Sequence, residues 1–203
     1  PLQMAPVSDF FAAGVTIKYD AKVLRAVKVM PVPNSVYHEA KIAQKGEIRF
    51  AFVSAKPINS ISELLMIEFH VMPNTEGKIS PLLISDAHFS NSISISRSNG
   101  LIEVLPAKTA LLANYPNPFN PETWMPYSLK LDANVMIMIY NIKGTAIRAL
   151  DLGSQKAGFY ISKEKSAYWD GKDSLGEKVA SGLYFYQLKA GDFSATRRMV
   201  IVK

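Results

Sequence analysis

Apolar residues recur at every second position early in the chain. In VTIKYD (15–20), Val15, Ile17 and Tyr19 share one face and Thr16 and Lys18 the other, the period of a strand with one buried side. Residues 23–29 repeat this less regularly, with Val23, Ala26, Val27 and Val29 expected inward and Arg25 and Lys28 between them. In EIRFAFVS (47–54), Ile48, Phe50 and Phe52 point to a core. In ELLMIEFHV (63–71), Leu65, Ile67, Phe69 and Val71 form the inward set, while Leu64, Met66, Glu68 and His70 face out. Residues 79–89 and 100–105 add two or three strands, and the short apolar piece 4–7 reads as most of a first strand. Pro31, Pro33, Pro57, Pro73 and Pro81 fall between these runs or at their ends, where a sheet tolerates proline.

The alternation stops at NYPNPFNPET (114–123). Pro116, Pro118 and Pro121 fix φ and push the preceding residues toward extended conformations, and Asn114, Asn117 and Asn120 favour turns, so helix is excluded here. Beyond it, strands are expected at 124–129, 135–141, 146–150, 159–161, 167–169, 182–188 and 195–202, with NIKGT (141–145) as a hairpin turn that uses Gly144 at positive φ. That makes about seven, the usual count for an immunoglobulin-like sandwich. The reading is all-β: two antiparallel β-sandwiches, in residues 1–105 and 114–203, joined by a short linker, 106–113. Because that linker is only eight residues long and carries Leu111 and Leu112, the two sandwiches are expected to pack together.

Composition narrows the chemistry. The 203 residues contain no cysteine, so neither disulfides nor thiolate metal sites arise. No apolar run approaches the roughly 20 residues that span a membrane as a helix. The opening PLQMAPVSDF has neither an initiator Met nor a signal pattern, which predicts a processed form or a piece of something longer. The net charge of +6 is concentrated in the second half: residues 1–105 carry +1 and residues 106–203 carry +5. Its lysines are spread through turns (Lys143, Lys156, Lys172) rather than gathered into an aromatic-lined groove, so no nucleic-acid partner is expected. A weak attraction to anionic polysaccharide or lipid headgroups stays open.

Candidate chemistry is thin. Asp170, Asp173 and Glu177 lack the spacing of an EF-hand, and a turn in which the aspartates accept nearby backbone amides is preferred. His38, His70 and His88 have no metal-type spacing, and no G-x-S-x-G elbow or phosphate loop occurs. No catalytic residue, cofactor or metal is expected. Trp124 and Trp169 could stack on sugar rings, although packing is preferred for Trp169. In the strand 135–140, Val135, Ile137 and Ile139 face inward, so Met136, Met138 and Tyr140 face out where a solvated face would carry Thr, Lys or Ser. Either a partner covers that face, with Leu64 and Met66 as a second such patch, or the methionines simply tolerate exposure.

The order AGVTIKYDAKVLRAVKV, GEIRFAFVSAKPI, ELLMIEFHV, SPLLISDAHFSN resembles a cohesin-type domain over residues 4–105. The resemblance implies a nine-stranded jelly roll that binds dockerin partners through one sheet face. Residues 113–203 are similar to the C-terminal sorting domain of type IX secretion substrates and to the immunoglobulin-like domain of flagellar hook-capping proteins. The signature residues are Asn117, Pro118, Phe119, Asn120 and Pro121, then Trp169, Asp170 and Gly171, then Gly182 and Tyr184. This resemblance implies export across an outer membrane. The expected protein is therefore a secreted, non-catalytic surface protein with protein partners, among them copies of itself in a filament or sheath. The alternative is the accessory carbohydrate- or dockerin-binding region of a larger secreted enzyme.

Overall fold

The computed structural model describes residues 10–32, 37–43, 45–58, 65–90 and 99–202. The expected first strand at 4–7, Pro33 and the outward Leu64 lie outside the described residues. The chain divides into two compact units, 1–104 and 105–203, each with its own core. Among the described residues no helix is long and apolar enough to cross a membrane.

The first unit contributes β1 (Phe10–Lys18), β2 (Leu24–Pro31), β3 (Tyr37–Ala43), β4 (Glu47–Ile58), β5 (Leu65–Val71), β6 (Ile79–Phe89) and β7 (Gly100–Glu103). One sheet has the order β3-β4-β1-β6-β7, and β2 pairs with β5 in a second. All pairings are antiparallel. Val15 and Ile17 of β1 and Ile48, Phe50 and Phe52 of β4 are buried, as the alternation requires, with Leu24 and Leu65 from the second sheet. Phe10 joins Phe52 and Phe89 at ring separations of 5.9 and 5.2 Å, the latter edge to face, and Tyr19 meets Phe69 at 5.1 Å.

Several expectations are corrected. Val27 is exposed, because β2 shifts register between Ala26 and Lys28: these oppose the consecutive residues Phe69 and Glu68, which leaves Val27 as the extra residue of a bulge. Val71 is 55% exposed at the end of β5. Pro57 and Pro81 lie inside strands: Pro57 is the penultimate residue of β4, and Pro81 sits on β6 opposite Leu101, before the pairing with β1 starts at Leu83. The edge strand β3 has no counterpart in the hydrophobic pattern.

The second unit contributes β8 (Ala110–Leu111), β9 (Thr123–Met125), β10 (Tyr127–Leu129), β11 (Ala133–Asn141), β12 (Ala146–Gln155), β13 (Gly158–Tyr160), β14 (Ala167–Trp169), β15 (Gly182–Ala190) and β16 (Phe193–Ile201). Residues 106–113, expected as a linker, thus supply β8, which pairs with β10. The sheets are β12-β11-β15-β16, β13-β10-β8 and the ribbon β14-β9. The run 124–129 divides at Pro126, so Met125 and Tyr127 belong to different sheets. Between them these layers bury Val135, Ile137 and Ile139 with Tyr186, Leu188 and Met199 against Met125, Tyr127, Leu129 and Trp169. The 141–145 hairpin forms as expected: the Asn141 carboxamide accepts the Lys143 and Thr145 amides, and Gly144 has φ +79°.

Candidate functional site

The proline-rich stretch folds back on the end of the chain. The Phe119 N–H donates to the Val200 carbonyl, and the Val202 N–H donates to the Phe119 carbonyl, both at 3.0 Å. Asn117 Oδ1 accepts the Val200 N–H at 2.9 Å. Since β16 is an edge strand, residues 117–119 occupy polar groups that would otherwise be open to another chain. The peptide bonds before Pro116, Pro118 and Pro121 are cis. The Phe119 ring is buried against Trp169 at 5.6 Å, and Trp169 meets Tyr184 at 5.9 Å.

Trp169 also donates its indole N–H to the Lys172 carbonyl at 2.7 Å, fixing the WDG turn. A Cβ on Gly171 would lie 2.5 Å from the Pro121 carbonyl oxygen, so only glycine lets this turn approach the loop. Asp170 and Asp173 accept nearby backbone amides, as the turn reading requires. Phe119, Pro121, Trp169, Gly171 and Tyr184 therefore come together as a clasp over the end of β16. Pro118 and Asn120 are exposed on the loop, and Gly182 opens β15 opposite Ile201.

The start of the stretch is tied to the core through Tyr186. Its buried hydroxyl accepts the Asn114 N–H at 2.9 Å and donates to the Leu112 carbonyl at 2.8 Å, and burial raises the phenol pKa. Asn114 Nδ2 donates to Thr123 Oγ1, whose hydroxyl donates to the Pro116 carbonyl. Tyr186→Phe leaves the buried Asn114 N–H without its acceptor and is expected to cost about 1–3 kcal/mol. The check is a lower urea midpoint with an unchanged m-value.

The outward side chains of β11 are less bare than alternation suggests. Met136 is 37% exposed, whereas Met138 and Tyr140 are half-buried. Met136 stands between Asp151 on β12 and Lys189 on β15, beside a hollow of about 500 Å³. Met138 lies opposite Ala149 and Gln187, and the Tyr140 hydroxyl donates to Gln187 Oε1 at 3.4 Å. Met66, on β5 of the first unit, is 53% exposed.

A second surface escaped the hydrophobic pattern. On the outer face of the five-stranded sheet, register aligns Glu39, Ala51, Gly14 and His88 in one cross-strand row and Lys41, Arg49, Thr16 and Asp86 in the next. Gly14 and Ala51 present almost no side chain, so they floor a trough of about 320 Å³ between Glu39 and His88. Nothing lies within 4 Å of where a Gly14 Cβ would stand. One wall is fixed by the His88–Asp86 contact at 2.8 Å, and Arg49 is held by Glu47 at 2.7 Å. Tyr37, 82% exposed, stands opposite Val53, 57% exposed, one row beyond the trough. The available sequence signal was a lone glycine within a strand pattern. Among the described residues no three His, Cys, Asp or Glu side chains converge as metal ligands.

The family model for the FlgD Ig-like domain matches residues 125–193, all within the second unit. No curated protein matches the chain. Among solved structures, a cohesin module of a family 33 glycoside hydrolase from Clostridium perfringens ATCC13124 is 15% identical, with a TM-score of 0.39 over 48% of this chain and 73% of that one. The type II cohesin dyad of the ScaA scaffoldin from Acetivibrio cellulolyticus is 13% identical, with a TM-score of 0.39 over 71% of this chain and 60% of that one. Latent PorU of Porphyromonas gingivalis is 14% identical, with a TM-score of 0.36; the match covers 93% of this chain and 16% of that one. All three TM-scores are below 0.5, so the fold rests on the chain's own strand pairing.

Proposed function

We propose that this chain is a secreted, non-catalytic binding module of the cell exterior. Its first unit docks a protein partner, and its second unit serves as a type IX export domain. The observation that carries the docking half is the trough floored by Gly14 and Ala51. A flat sheet face offers little grip, whereas a hollow walled by Glu39 and His88, with Lys41, Arg49 and Asp86 in the adjoining row, accepts a protruding side chain and supplies both signs of charge around it. The export half is supported by the NPFNP and WDG residues together with the FlgD-type match over residues 125–193.

The partner is either a dockerin-type module or another copy of the chain in an extracellular assembly. Sedimentation velocity of the full chain, alone and mixed with a purified dockerin-bearing protein, separates the two. Gly14→Trp fills the hollow from a position with open space above it, and it is expected to weaken whichever complex forms by about tenfold or more. A monomer that binds no dockerin, or a complex indifferent to Gly14→Trp, would sink the docking proposal. For export, the full chain produced in a type IX-competent bacterium should reach the surface, where added protease can cleave it. Retention inside the cells would count against the second unit's role.

A further inference from the structure

The ribbon β14-β9 carries an aromatic row that packing does not account for. Tyr115 bridges Trp124, and Trp124 pairs with Tyr168, so the three side chains stand side by side across three adjacent backbone segments. Ring centroids are 6.1 Å apart between Tyr115 and Trp124 and 5.6 Å between Trp124 and Tyr168, with interplanar angles of 24° and 47°. Trp124 and Tyr168 alternate with buried neighbours; Tyr168 is 45% exposed, and Tyr115 and Trp124 are half-buried. Trp169, the other tryptophan, is sealed in the core, so the two tryptophans have separate roles.

The row has polar groups at its margin. The Tyr168 hydroxyl donates to Glu122 Oε2 at 2.9 Å, and the Tyr115 hydroxyl donates to the Ile161 carbonyl at 2.9 Å. The Lys163 ammonium, from the exposed β13–β14 loop, lies 4.1 Å from the centroid of the Trp124 ring. A π-face that holds an ammonium is accessible and electron-rich. The polarised C–H groups on the apolar face of a pyranose are complementary to that same negative ring face, and its hydroxyls can donate to a carboxylate and accept from an ammonium at the edge.

We propose that Tyr115, Trp124 and Tyr168 form a binding surface for a polysaccharide. One pyranose ring lies on Trp124 where the Lys163 ammonium now sits, its neighbours lie along the tyrosines, and Glu122 and Lys163 bond the hydroxyls. A protein partner fits this surface less well, because the row is narrow, one side chain wide on each of three backbone segments. The proposal stands independently of docking at the Gly14 trough.

Native gels of the full chain cast with hydroxyethylcellulose, a neutral β-linked glucan, or with polygalacturonate, an acidic polymer, supply the test. Retardation by at least one polymer is expected. Trp124→Ala should weaken it by about tenfold, and Trp124→Phe, which keeps a ring, should retain most of it. Tyr168→Ala, at a more exposed position, guards against a folding artefact, with circular dichroism checking each variant. Lys163→Ala removes a hydroxyl partner and a positive charge, so it weakens retardation by both polymers, and that by the acidic one more. Bound polymer should also shield the wild-type chain from iodide quenching and leave the quenching of Trp124→Phe unchanged. No retardation by either polymer, or equal retardation of wild type and a folded Trp124→Ala, overturns the proposal.

Discussion

Phe119→Ala is expected to destabilise the second unit by about 3–5 kcal/mol, the range for deleting a buried aromatic side chain. The ring is 1% exposed and lies against Trp169, which has Tyr184 on another side, so its removal opens a cavity beside two large rings. A second loss follows from the backbone. The Phe119 amide and carbonyl are bonded to Val200 and Val202, and the anchored ring keeps those groups in register with β16. Urea unfolding followed by far-UV circular dichroism reads the change. The loss should fall on the transition of the unit that contains Phe119, since each unit has its own core. A change below about 1 kcal/mol would mean that the loop is a surface ornament rather than a clasp.

Gly171→Ala should cost about 2–5 kcal/mol, combining a left-handed backbone penalty with overpacking. Gly171 has φ +72°, and an added Cβ would meet the Pro121 carbonyl oxygen at 2.5 Å and Ile201 Cδ1 at 3.3 Å. Backbone cannot rotate away as the tip of a flexible side chain can, so the proline-rich loop has to move. Gly176, five residues on, separates the two terms: it has φ +83° but nothing within 4 Å of its would-be Cβ. Gly176→Ala therefore carries only the conformational cost, about 1–2 kcal/mol. Equal losses at the two glycines would show that the close approach to Pro121 contributes nothing, a result that thermal unfolding of both variants decides.

Alternation identified the strands whose two faces differ. Val15, Ile17, Ile48, Phe50, Ile137 and Ile139 are buried because each lies on the core side of a sheet whose other side meets solvent. β3 escaped for the same reason. It is an edge strand, exposed along nearly its whole length, with His38 resting on Phe50 at 6.1 Å and Ile42 37% exposed, so it has little apolar face to betray it. Val27 differs from the expectation because a bulge inserts one residue without marking the sequence, while Ala26 and Val29 on either side of it are buried as expected.

The signature residues were legible as a group, but their physical task was not. Asn117 and Val200 are 83 residues apart, and no local pattern says that one carboxamide accepts the other's amide. The half-burial of Met138 and Tyr140 likewise depends on Gln187 across the sheet, and the trough over Gly14 on which residues three other strands bring alongside it. Such features depend on register between distant segments. The aromatic row was half visible, since Trp124 could be suspected of meeting sugars, yet only pairing put Tyr115 and Tyr168 on either side of it.

The clasp also imposes an order of events during synthesis. Residues 117–119 leave the ribosome some eighty residues before Val200 and Val202, so the loop waits without its partners while β9 to β15 are made. Until β16 arrives, the edge of β15 that it will cover has no ladder partner. A chain stalled before residue 193 would thus carry an open sheet edge and an unanchored Phe119, both handles for a chaperone. The hydrogen bonds that cover this edge of the second unit thus become available only once Val200 and Val202 have been made.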